Sequence, residues 1–267
     1  MTSKFASFII LTLIGTAAFA QNTEPAKKTR RPDIPGAFVV ELGVNRMTEL
    51  PNKVKYGLWG SRTANVYYQY EMRIMKSKFS FHPGIGLSME RFKFQSYVQD
   101  FPGTNADPVR LNNPTLIFDA NGNTRFAEFG HVLYDGDTLG QPNWSSSLTT
   151  RKTMLTMTYL DVPLELRFST KPEDPARSFK VAIGGRVGYL LNASTKVKYK
   201  ENGELKKLQN HQDFNLTRLR YGAHVKMFLG NFALFGYYNL TPLFQANKGP
   251  AATEAQTWTV GFALHSF

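Results

Sequence analysis

The chain has 267 residues, no cysteine and a formal net charge of +12, from 32 Lys and Arg against 20 Asp and Glu. The lack of cysteine excludes disulfides and a lipid anchor on an N-terminal cysteine, and it argues against a zinc site. A basic chain often binds nucleic acid. The N-terminal segment described next predicts export, however, and an exported protein rarely meets nucleic acid, so no nucleic-acid partner is expected.

The N-terminal segment has the features of an export signal. Residues 1–20 combine a charged start at Lys4, an apolar run and the small-residue ending Ala18–Ala20, which predicts cleavage before Gln21. Residues 21–35 are rich in proline and basic side chains and are interpreted as a flexible periplasmic leader. No later apolar run approaches the roughly 20 residues of a membrane-spanning helix. The mature chain is therefore either soluble and secreted or a membrane protein made of strands.

Beyond the leader, apolar residues recur at every second position. The longest case is FKVAIGGRVGYLLNASTKVKYK, residues 179–200, where Phe179, Val181 and Ile183 alternate with Lys180, Ala182 and Gly184. Such alternation predicts strands with one apolar and one polar face. The same pattern predicts eight strands, at 38–44, 66–74, 79–89, 160–168, 179–198, 219–227, 232–240 and 258–264.

The links between these strands are alternately short and long. The short ones lie at 76–78, 170–177 and 229–231, and the long ones at 45–62, 96–150, 200–207 and 242–256. Short periplasmic turns and long extracellular loops are the plan of outer-membrane barrels. The sequence thus predicts an all-β fold over residues 36–267, an eight-stranded antiparallel up-and-down transmembrane β-barrel. Within the longest loop, Asn121-Gly122 between apolar runs indicates a small hairpin.

A soluble lipocalin-like ligand carrier is the alternative, because such a barrel also has eight strands but an apolar interior. Here each apolar face carries four or more bulky side chains, too much volume for the interior of an eight-stranded barrel. The polar faces carry both signs of charge, which suits a closed interior. The predicted interior charge network comprises Glu41, Glu71, Arg73, Glu90, Asp161, Glu165, Arg167, Arg186, Arg218, Arg220 and Lys226.

Further basic residues cluster in the long loops or the strand ends beside them. The phosphates of lipopolysaccharide lie at that height, so these residues are candidate lipopolysaccharide contacts; the alternative is ordinary solvated loop charge. The candidates are Arg151, Lys152, Lys196, Lys198 and Lys200.

No catalytic residue, metal site or cofactor is predicted. The five histidines show no metal-ligand spacing. His82 and His224 fall on the predicted interior face near carboxylates, and we interpret them as hydrogen-bonded interior residues rather than a catalytic dyad. The predicted role is therefore a structural, binding or secretion-accessory protein of the Gram-negative outer membrane; the competing classes are a lipid-modifying barrel enzyme, a narrow channel and the soluble carrier.

The C-terminal half resembles a known family. YLDVPLELRF followed by FKVAIGGRVGYLLNA, then RLRYGAHVKM and FALFGYYNLTPLF, is similar to the PorT-like family of small outer-membrane β-barrel proteins. The resemblance covers most of residues 36–267 and is strongest from residue 159 onward. It implies the barrel fold and the outer-membrane location, and it implies an envelope or secretion-system protein as a partner, but it assigns no reaction.

Overall fold

The computed structural model describes residues 36–48, 54–56, 60–75, 77–99, 109–129, 149–172, 178–250 and 254–265. The predicted signal peptide and leader lie outside the described residues. The described strands are β1 Gly36–Thr48, β2 Val54–Tyr56, β3 Arg62–Tyr70, β4 Met72–Arg73, β5 Phe79–Gln99, β6 Val109–Asn112, β7 Thr115–Phe118, β8 Thr124–Ala127, β9 Thr149–Ser169, β10 Phe179–Glu201, β11 Glu204–Asn210, β12 Leu219–Leu229, β13 Phe232–Asn239 and β14 Gln256–His265. In this part of the chain no helix has the length and hydrophobicity to cross a bilayer.

Eight of these strands form a closed antiparallel ring, in the order β1-β3-β5-β9-β10-β12-β13-β14 and back to β1. Each contains most or all of one predicted strand, so the fold class predicted from the alternation is confirmed. Closure leaves no unpaired edge within the ring, because the first strand bonds the last from Val39 opposite His265 to Thr48 opposite Gln256.

The two faces of the ring differ sharply in polarity. The outward residues are exposed and mostly apolar, and they form a continuous apolar band; Ile183, for example, is 59% exposed. The inward residues of the same strands are buried and include Glu41, Asp161, Glu165 and Arg220. This arrangement is the reverse of a ligand-carrying barrel, whose apolar face lines the interior.

Several strands continue beyond the apolar band, on the side of the ring that carries the long links. β5 runs to Gln99 and β9 begins at Thr149, so the predicted loop 96–150 is shorter than expected. The predicted loop 200–207 was also wrong, because β10 and β11 form a hairpin through Asn202 and Gly203, both with positive φ. The predicted hairpin at Asn121-Gly122 is confirmed as β7–β8.

A buried apolar cluster fills the interior at this end of the ring. Ring residues such as Phe92, Leu155 and Leu190 pack with Phe126 of the β7–β8 hairpin and Phe214 of the segment before β12. Thr124 of the hairpin also donates a hydrogen bond to the carbonyl of Phe214, at 2.7 Å. The described residues therefore cap the ring with packed side chains.

Candidate functional site

Buried charges of alternating sign follow one another through the interior of the ring. We call this set the charge chain; its members, in spatial order, are Glu90, Arg220, Asp161, Arg186, Glu41, Lys226, Glu165 and Arg167. Successive members are joined by N–O distances of 2.6, 3.0, 3.8, 2.8, 2.9, 2.8 and 2.7 Å. Four acids face four bases, so the charge chain is neutral as a whole. Buried charges are tolerated when they are paired in this way.

Polar and aromatic side chains complete the environment of the charge chain. Asn65 donates to Glu41 at 2.8 Å, and the hydroxyl of Tyr67 donates to Asp161 at 3.0 Å. The Arg220 guanidinium lies 3.6 Å from the ring centroid of Tyr159, and that of Arg186 lies 4.4 Å from the ring of Tyr237. Because each arginine is held on several sides, the interior is a fixed network rather than a set of mobile charges.

Three members of the predicted network lie elsewhere. Glu71 and Arg73 are exposed beside the turn that follows β4, where Arg73 donates to the carbonyl of Pro172. Arg218 precedes β12, its side chain is 65% exposed, and it lies 3.5 Å from Asp213. The assignment of these three to the interior is corrected, because they lie at the open ends of the ring, where solvent reaches the side chains. Arg73 stands opposite the inward Ser80 but is exposed, and Arg218 precedes the first residue of β12.

The histidines do not form a catalytic arrangement among the described residues. His82 Nε2 bonds Ser80 Oγ at 2.8 Å, but no described carboxylate bonds His82 to orient it. The cavity beside Ser80 has a volume of about 30 Å³, room for about two water molecules. His224 Nε2 lies 3.4 Å from Glu165, which is already paired with Arg167 and Lys226. Both histidines thus belong to the packed interior.

A second group of charges faces outward, on the long-link side of the apolar band. On β5 the exposed Met89 is followed on the same face by Arg91 and Lys93, and Arg91 stands opposite Arg62 of β3. We call the outward set the basic collar. Its members are Arg46, Arg62, Arg91, Lys93, Lys152, Lys196, Lys198 and Lys207.

The lysines of the basic collar are crowded. Lys198 of β10 stands directly opposite both Lys152 of β9 and Lys207 of β11. Burial, and then the neighbouring charges of Lys93 and Lys198, lower the pKa of Lys152. The charge of Lys207 lowers the pKa of Lys196. Like charges placed opposite each other on a sheet are destabilising, so this part of the surface favours an anion.

The structure brings three of the five candidate lipopolysaccharide contacts into the basic collar: Lys152, Lys196 and Lys198. Arg151 lies at a bulge one residue beyond Lys152, and Lys200 stands opposite Thr149 at the strand ends. The sequence reasoning missed Arg46, Arg91 and Lys93. The sequence does contain a signal for Arg91 and Lys93, because the alternation of β5 continues past Met89 and puts these two basic residues on the outward, otherwise apolar face.

Taken together, a closed eight-stranded ring that is apolar outside and charged inside defines a small outer-membrane barrel. The chain belongs to the family described as "Outer membrane protein beta-barrel domain", whose model matches residues 19–245. The protein is accordingly located in the Gram-negative outer membrane. The family match does not distinguish the PorT-like group, so that closer resemblance stays a prediction, as does the signal peptide.

Two solved structures match the chain at low similarity. Ail, the attachment invasion locus protein of Yersinia pestis, is 14% identical, with a TM-score of 0.33, over 86% of this chain and 97% of that one. A mutant porin of Rh. blastica is 8% identical, with a TM-score of 0.17, over 86% of this chain and 99% of that one. No curated protein matches the chain.

Proposed function

We propose that the protein is a non-enzymatic envelope protein whose basic collar binds the phosphate groups of lipopolysaccharide. The observation that carries this proposal is the position of the basic collar on the long-link side of the apolar band, which the plan of outer-membrane barrels makes extracellular. Arg91 is the first outward residue after the exposed Met89 at the upper boundary of the band, and Lys152 lies further out on β9. The phosphates of outer-leaflet lipids lie at that boundary.

The arrangement of the basic collar favours an anion ligand over ordinary solvated charge. Solvated lysines usually stand apart, whereas Lys152, Lys198 and Lys207 occupy one cross-strand row. Arg46 and Arg91 lie on the same outward face, partly exposed, and offer further guanidinium N–H groups. A phosphate oxygen accepts such N–H groups in short, charge-assisted bonds and offsets the repulsion between the lysines.

The interior supports a role without catalysis or conduction. In the described part of the chain the ring is filled by the charge chain and by the apolar cluster. An eight-stranded ring leaves space for side chains only. An envelope or secretion-system protein as a partner remains a prediction from the resemblance alone.

The first prediction tests the basic collar in the purified, folded protein. The triple variant Lys152→Gln, Lys196→Gln, Lys198→Gln should bind lipopolysaccharide at least about tenfold more weakly, because each lysine lost removes a charged donor to phosphate. Binding is measured on captured protein with purified lipopolysaccharide at low and physiological salt. The wild-type affinity should fall as salt is raised, and the variant should respond less.

The matched control removes charge at the opposite end of the ring. Lys78 and Lys171 are exposed beside the short turns, so Lys78→Gln, Lys171→Gln should leave the affinity unchanged. If the control and the triple variant lose affinity equally, the attraction is a property of net charge and the basic collar is not a binding site.

A further inference from the structure

A groove lies in the outer wall of the ring, over β12, β13 and β14. It is a shallow depression, open along most of its surface, with a volume of about 650 Å³. Its exposed surface is mostly apolar, and the outward residues that line it include Ala223, Val225, Gly236, Tyr238, Trp258 and Val260. The groove therefore opens toward the membrane, along the apolar band, and not toward the interior.

Gly236 creates much of this depression, and the packing of the chain does not require a glycine there. A Cβ at Gly236 would meet only Val225 Cγ1, at 3.8 Å. By contrast, a Cβ at Gly222 on the inward face would collide with the ring of Tyr237. Val225 and Val260 stand opposite Gly236 on its two neighbouring strands and form the walls of the groove.

A basic side chain stands at the upper end of the groove. Tyr238 is opposite Trp258, and Trp258 is opposite Arg46 of the basic collar. Because strands tilt in a barrel, this row climbs from the apolar band toward its extracellular edge. Thr48, two residues after Arg46 on the same face, also lines the groove. Arg46 lies beside the lining rather than in it, and its side chain is partly exposed on this face.

An apolar groove below an arginine matches one chemistry, a lipid with a phosphate on its headgroup. We propose that the groove holds one acyl chain of an outer-leaflet phosphoglycolipid, the lipid portion of lipopolysaccharide, while Arg46 donates hydrogen bonds to its phosphate. This inference deepens the proposed function and rests on it. It adds a defined acyl-chain site, over β12, β13 and β14, to the general attraction of the basic collar, whose Lys152 and Lys198 lie on β9 and β10.

Trp258 lines the groove and can report on its occupant. The chain has three tryptophans, so replacement of Trp59 and Trp144 by Phe leaves Trp258 as the single reporter. In this background, bis-phosphorylated lipid A carrying brominated acyl chains should quench Trp258 at concentrations where the dephosphorylated form does not. Arg46→Gln and Gly236→Leu should each raise the half-quenching concentration about tenfold, by loss of a charge-assisted bond and by filling the groove respectively. Inorganic phosphate alone should leave the fluorescence unchanged.

The control variant is Ala64→Leu, which adds volume to the outward face of β3, outside the groove, and should leave quenching unchanged. Equal quenching by both lipid forms, no effect of the two groove variants, or a dimer in place of a lipid adduct in native mass spectra would each overturn the proposed site. The two proposals fail separately. Loss of binding in the collar triple variant with normal groove variants removes the groove site only. Normal binding by the triple variant with loss in both groove variants removes the lysines of the basic collar from the proposed function and leaves the groove site.

Discussion

Arg186 shows how much a single buried residue contributes to this fold. It lies between Glu41 at 2.8 Å and Asp161 at 3.8 Å, in the middle of the charge chain. Arg186→Met should lower the free energy of unfolding by about 3–5 kcal/mol, because it leaves the buried interior with four acids against three bases, and Glu41 and Asp161 must share the remaining cations. The measurement is reversible unfolding in lipid vesicles, followed by tryptophan fluorescence.

The double variant Glu41→Gln, Arg186→Met separates charge balance from packing. It removes one acid and one base, so Lys226 keeps Glu165 and Asp161 keeps Arg220. We expect the double variant to be more stable than Arg186→Met alone. If both are equally unstable, the loss comes from the volume and the aromatic contacts of Arg186 and not from its charge.

Residue-scale features were only partly predictable from the sequence. The inward position of Glu41, Asp161 and Arg220 follows from alternation, because period two fixes the face of every residue within a strand. The order in which these charges pair does not follow from alternation, because it depends on which strands meet across the interior. Glu41 and its partner Arg186, for example, are 145 positions apart in the sequence. Arg218 was misplaced for a related reason: alternation does not say where a strand begins.

At the scale of one strand, the same exposure has different consequences in lipid and in water. Ile183 of β10 is 59% exposed in the apolar band, and Leu205 of β11 is 66% exposed beyond it. Ile183→Arg should cost about 2–4 kcal/mol of stability, since a cation on the lipid face loses its hydration. Leu205→Arg should change stability by less than about 0.5 kcal/mol.

Unfolding of both variants in vesicles provides the comparison. Equal stability of the two would contradict the membrane position of the apolar band.

The positions of the ring strands were predictable because lipid on one side and a polar interior on the other impose a strict alternation. Their extensions were not, since β9 and β10 beyond the band have left the hydrocarbon region and the alternation of the sequence weakens, as at Lys152 and Lys196.

At the scale of the whole molecule, the closed ring and its filled interior predict the results of two measurements, migration in detergent gels and conductance in a planar bilayer. The folded protein should migrate differently from its boiled form in detergent gels, because a closed ring resists unfolding by detergent. It should also give no steady single-channel steps in a planar bilayer, because the charge chain and the apolar cap occupy the interior. Regular conductance steps from the wild-type protein would show that a continuous water path exists.

The charge chain also bears on the order in which the barrel is made. Glu41 belongs to the first strand, whereas its partners Arg186 and Lys226 belong to the fifth and sixth strands of the ring in chain order. A half-completed sheet therefore carries a carboxylate that no nearby strand neutralises, and hydrocarbon rejects it. Only the arrival of the C-terminal strands makes the interior electrically neutral. We therefore expect a chain without its C-terminal strands to insert into a bilayer less readily than the complete ring.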